Sequence, residues 1–161
     1  MASVPFDTLQ TVHVVGAMVV VGYLAVIPMW RAALRKDAEP GVVRAFLETL
    51  RSVQHRVVLP ALGIVVLTGI LLSNGPLAER ASYSLLTWRP GQAGLAISLI
   101  LAVILWSGLG GPAKKMLDLV EKGEHAGPAM DKLWGDWRTA LVSAALLSLV
   151  ATAVMVFGAF G

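Results

Sequence analysis

The sequence predicts an all-α fold: an antiparallel four-helix bundle integral to a membrane, with an amphipathic cytoplasmic helix between helices one and two. Three observations lead there. First, 57% of the 161 residues are hydrophobic and only 14% are charged, whereas a soluble domain carries about a quarter charged residues. The mean hydropathy is +0.74. Second, the charged residues cut the chain into four charge-free windows of 22 to 24 residues: Thr8–Trp30, Val57–Ala78, Pro90–Ala113 and Thr139–Gly161. A helix of about 20 apolar residues crosses the hydrocarbon core of a bilayer. Third, of the 13 Lys and Arg residues, six lie in the first loop, five in the third and two in the second. The positive-inside rule then puts loops one and three in the cytoplasm and both termini outside, in the cell (inner) membrane.

The elements follow in chain order. Residues 1–161 form a single domain with helices at about 8–30, 57–74, 90–110 and 138–159. The first residues, MASVPFD, hold no Lys or Arg; a cleaved signal peptide would need a basic start, so helix one is expected to stay. After it, Asp37-Ala38-Glu39-Pro40-Gly41 reads as a break. Val42, Val43, Phe46, Leu47, Leu50 and Val53 then recur at helical spacing, with Arg44, Glu48 and Arg51 between them. That is an amphipathic helix running into helix two. Pro60 falls near the first turn of the span, where proline costs least.

Ser73-Asn74-Gly75-Pro76 signals a turn, and Tyr83 and Trp88 suit the interface belt before helix three. That helix is expected to end at Gly108-Leu109-Gly110-Gly111-Pro112. A short helical pattern through Lys115, Met116, Leu119 and Val120 follows. Trp134 and Trp137 mark the entry of helix four, where Ala140, Ala144, Ser148 and Thr152 form a small-residue face at spacing four. Such faces let helices approach closely in lipid.

Candidate chemistry is sparse. Without cysteine there are no disulfides, thiolate metal sites or iron–sulfur clusters. No phosphate loop, HExxH motif or hydrolase elbow is present. No charged residue lies mid-span, as an ion-coupled transporter usually needs. The basic loops are accounted for by topology, so no nucleic acid is invoked. His13 is the polar exception in the first window. An imidazole in a span needs a partner and is a functional candidate. It is read either as a metal ligand or as an interfacial side chain bonded to a carbonyl or water. Gly16 and Ala17 on its face leave room for a flat ligand or for a neighbouring helix. Met155, at similar depth on helix four, could complete a His/Met axial pair on haem iron, although a methionine in a span is usually packing. Arg89 and Gln92, at the outer end of helix three, could hold a propionate, or Arg89 could snorkel to headgroups. His55 lies near the opposite face of the membrane from His13, so one haem cannot join them. His125, in Glu-Lys-Gly-Glu-His, is expected to be solvated.

The opening Leu9-Gln10-Thr11-Val12-His13-Val14-Val15-Gly16, the Ile27-Pro28 that closes helix one, the entry Arg56-Val57-Val58-Leu59-Pro60 and Trp88 before helix three resemble a group of small four-helix membrane proteins. The group includes HemJ-type protoporphyrinogen oxidases and the CopD copper-resistance membrane domain. The resemblance spans most of the chain. It implies haem binding at His13. A lysine that opens helix three in HemJ-type proteins maps to about Gln92 here, and its absence speaks against protoporphyrinogen oxidation.

The expected function is therefore a membrane protein that binds haem b through His13, in electron transfer or haem metabolism. Its expected partners are the lipid bilayer and a redox partner or larger membrane complex. A cofactor-free accessory subunit of such a complex is the alternative. A copper-handling permease ranks third, because Met18, Met29 and His13, its only soft ligands, do not cluster on a helix.

Overall fold

A computed structural model describes residues 6–34, 38–73, 85–124 and 127–160; side chains are described for 7–32, 34, 38–72, 94–124 and 127–153. The described residues are helical almost throughout, with no strand among them. They form α1 (Phe6–Ala33), α2 (Pro40–Val53), α3 (Leu59–Ser73), α4 (Leu85–Val103), α5 (Gly110–Glu121) and α6 (Pro128–Phe160). Two π-helical turns, Gln54–Val58 and Ile104–Leu109, join α2 to α3 and α4 to α5. The described residues thus form four long rods rather than six separate helices.

Three stretches on these rods are long and apolar enough to cross a membrane: Asp7–Ala32, within Pro40–Leu72, and within Gly94–Glu121. The fourth expected window, Thr139–Gly161, lies on α6, beyond whose residue 153 the side chains are not described. The expected turn at residues 74–76, together with Arg80, Tyr83 and His125, lies outside the described residues, as do the side chains of Trp88, Arg89, Gln92 and Met155.

The rods outrun the predicted boundaries, and the π turns explain how. Proline inside a helix lacks an N–H and crowds the carbonyl four residues back. Pro112 therefore reads as a helix stop, and Pro60 as a first-turn residue of the span into which the amphipathic helix runs. Here each follows a wide turn by two or three residues. Leu59 N–H bonds the Gln54 carbonyl and Gly110 N–H bonds the Leu105 carbonyl, each five residues back. The extra residue in each turn loosens the backbone just ahead of the proline, and the helix continues. The amphipathic helix is accordingly the first half of rod two, and the Met116–Val120 pattern is the last part of rod three.

α1 packs on α3, α3 on α4, α4 on α6, α2 on α5, and α5 on α6. The core lies mostly toward the basic ends of the rods. The apolar stripe of α2 buries Val43, Leu47 and Leu50, and that of α5 buries Ala113, Met116 and Val120. Met130 and Trp137 of α6 close it. Trp137, expected near headgroups, is core: its ring meets Trp134 edge-on at 5.6 Å. Trp134 in turn contacts Phe46 and takes the Arg31 guanidinium 4.2 Å from its ring centroid, a cation–π contact.

Small residues set the close approaches. A Cβ on Gly16 would stand 2.9 Å from Val65 Cγ2 and 3.2 Å from the Ala61 carbonyl oxygen. A Cβ on Gly108 would stand 2.9 Å from Ala140 Cβ. On the small-residue face of α6, Ala144 and Ser148 are buried within the protein, while Thr152 is exposed.

Candidate functional site

His13 sits on the second turn of α1, half-buried, and its partner is on α3. Its Nδ1 lies 2.9 Å from Thr68 Oγ1. The Thr68 hydroxyl has one proton, and Oγ1 is 2.7 Å from the Ile64 carbonyl oxygen four residues back. That oxygen can only accept, so Thr68 donates to it and accepts from His13. In that arrangement the imidazole proton sits on Nδ1 and the lone pair on Nε2. Gly69 is the neighbour that makes this contact fit: a Cβ there would stand 3.3 Å from His13 Cε1.

The space on the Gly16 side of His13 is taken by α3 through Val65 and Ala61, so Gly16 serves helix packing and not a flat ligand. Of the other proposed contributors, Arg89 and Gln92 lie on α4 and Met155 on α6. Met18 and Met29 are 67% and 70% exposed, too outward-facing to share a copper site with His13. Among the described residues no three His, Cys, Asp or Glu side chains gather as a metal cluster.

Of the residues expected at a haem, His13 is the one whose side chain is described, and its ring is held by Thr68. Metal-ligating histidines bind through one ring nitrogen while the other donates a hydrogen bond that orients the ring. The His13–Thr68 hydrogen bond can play that orienting part. Thr68 was missed in the sequence because a threonine in an apolar window carries no local sign of its partner 55 residues away.

The second polar centre lies where the π turns meet. Gln54 is fully buried, and its Nε2 donates to the Leu105 carbonyl in the facing turn. Its Oε1 and the Nε1 of Trp137 are buried without a hydrogen-bond partner among the described residues. Next to it, His55 Nδ1 donates to the Arg51 carbonyl at 2.9 Å, and its ring lies 5.4 Å from that of Trp106. Thirteen residues of rod two separate His55 from Thr68, about 20 Å of helix. The two imidazoles are thus far apart. Gln54 was also missed, although a signal existed: it continues the buried stripe Val43, Leu47, Leu50 at helical spacing.

No known protein family matches the chain, and neither a curated protein nor a solved structure does.

Proposed function

We propose that the protein is an integral membrane protein, an antiparallel four-helix bundle that binds haem b through His13 and acts in membrane electron transfer or haem metabolism. The observation that carries the reading is the His13–Thr68 hydrogen bond, which orients the ring and points to Nε2 as the nitrogen that would bind the iron. Antiparallel neighbours are supported by the contact pairs. His13 meets Thr68, Gly16 meets Val65 and Ala61, and Tyr23 donates to the Leu50 carbonyl, so positions rise on α1 as they fall on rod two. The basic residues gathered at one end support cytoplasmic loops one and three with both termini outside. The resemblance to HemJ-type and CopD-type proteins points the same way.

When bound, haem b supplies a one-electron iron couple. The chain's own contribution is to hold and orient one axial imidazole in an apolar layer. Arg89 and Gln92 of α4 would hold its propionates, and Met155 of α6 would supply a second iron ligand. A redox partner or larger membrane complex would take or supply the electron.

The test is the absorbance spectrum of protein purified from haem-supplied cells. A Soret band that His13→Ala abolishes and His55→Ala leaves intact is expected. Its absence from wild-type protein would sink the haem reading and leave His13 as a bond between helices, in line with an accessory-subunit role.

A further inference from the structure

The polar faces of α2 and α5 enclose a cleft of about 420 Å³ beside the π turns. Arg51, His55 and Arg56 stand on one wall and Lys114 on the other. The wall residues repeat at helical spacing, 51 and 55 on rod two and 114, 118 and 121 on α5. Both faces lie alongside the stripes that form the core, so the same packing that buries Leu50 and Met116 holds the cleft open.

Charge within the cleft is uneven. At its far end Glu48 and Glu121 lie against Arg44, with Arg44 Nε 2.8 Å from Glu48 and an Arg44 terminal nitrogen 3.5 Å from Glu121. Those two carboxylates are therefore partly neutralised from outside. Toward the π turns, Arg51, Arg56 and Lys114 face the single carboxylate of Asp118. Among the described residues none of these three cations forms a salt bridge. Ser52 adds a neutral hydroxyl to the same wall.

The cleft also lies at a boundary. Its cationic end adjoins outward apolar residues: Val57 follows Arg56 directly, and Trp106, 63% exposed, lies against His55. Lys114 is eight residues beyond Trp106, about 12 Å along the rod. A ligand that fills this place needs an anionic head for the cations and an apolar tail for the surface next to them. A free phosphate satisfies only the first requirement.

We propose that the cleft binds the phosphate of an anionic phospholipid headgroup, with Arg51, Arg56 and Lys114 as its cations. Val57 and Trp106 meet the start of the acyl chains. Basic pockets between helices at the membrane surface recognise such headgroups. The inference rests on the rods crossing a bilayer and is independent of haem at His13.

The experiment uses the full chain in a neutral detergent. Short-chain dioctanoyl phosphatidylglycerol, dioctanoyl phosphatidylcholine and inorganic phosphate are titrated separately. Binding is read by thermal stability and by retained lipid in native mass spectrometry. Phosphatidylglycerol should bind and stabilise, and phosphatidylcholine should bind much more weakly. Each of Arg51→Gln, Arg56→Gln and Lys114→Gln should weaken phosphatidylglycerol roughly fivefold, and Asp118→Asn should tighten it. Lys114 and Asp118 are exposed, so their variants keep the test decisive if either arginine variant misfolds. Equal binding of phosphatidylglycerol by wild type and Lys114→Gln, with no gain in Asp118→Asn, would overturn the site. Inorganic phosphate matching the lipid would overturn the headgroup assignment. Neither readout uses the haem spectrum, so a missing Soret band leaves the result unaffected.

Discussion

Trp137 and Leu67 are both large apolar residues on long helices, yet the first is 2% exposed and the second 63%. They represent two regions. At the basic end, α2, α5 and the start of α6 bury one face each and turn charged faces outward, as helices of a water-soluble domain do. Around α3 and α4, helices that are apolar nearly all round bury Leu62, Val65 and Leu101 together with the smaller Ala61, Thr68 and Ser98, and leave Leu67, Leu99 and Val103 outward. Water drives side chains together in the first region. In the second, a bilayer's hydrocarbon would be as apolar as the interior, so close backbone approach and interhelical hydrogen bonds would carry the association there. The π turns, bridged by Gln54, lie at the junction of the two.

Substitutions separate these regimes, and the largest effect belongs at the basic end. Trp137→Ala should cost about 3–5 kcal/mol in unfolding free energy, because it empties the centre of the water-type core. Reversible denaturation in mixed micelles would measure it, and a loss below about 1 kcal/mol would show that this end is not packed as described. Leu67→Lys comes next. If α3 crosses a bilayer, a charge at mid-span should cost about 2.5–3.5 kcal/mol in an insertion assay; no penalty would mean that this face meets water.

Gly108→Ala probes the seam. Overpacking against Ala140 costs about 1–3 kcal/mol, while the helix propensity of alanine returns about 1 kcal/mol. A net loss of about 1 kcal/mol is expected in the same denaturation measurement, and a net gain would mean that α4 and α6 separate freely. Thr68→Val should cost only about 0.6 kcal/mol, the average for a hydrogen bond between membrane helices. It should also change the Soret band if His13 ligates haem, whereas Thr68→Ser should restore it. Val103→Ala is the smallest. An outward residue should matter by less than about 0.5 kcal/mol, and a loss comparable to that of Trp137→Ala would place Val103 in a hidden interface.

The two candidate centres were legible to different degrees. His13 stands out as the polar residue of its window, but its partner does not. Thr68 looks like any threonine that bonds its own helix four residues back, which it also does. Only the register of α1 against rod two brings His13 to it, and that register depends on Gly16 seating against Ala61 and Val65. The lipid-type cleft was half legible: the basic residues were counted as a topology signal, but not that α2 and α5 would set Arg51, Arg56 and Lys114 on facing walls.

The sequence by itself determined that the chain is helical and apolar enough for a membrane, because charge-free length and hydropathy are properties of one segment at a time. It also determined which face of α2 would be buried, since the stripe Val43, Leu47, Leu50 repeats within one helix. What only the tertiary structure decided was continuity and pairing. Pro112 carries the local signal of a helix stop, yet rod three runs through it by a wide turn, whereas the run of the amphipathic helix into helix two was already legible. Gln54 reaches the Leu105 carbonyl, and His13 reaches Thr68, across gaps of 51 and 55 residues. Contacts at such separations depend on the relative placement of whole helices, and no local pattern encodes that placement.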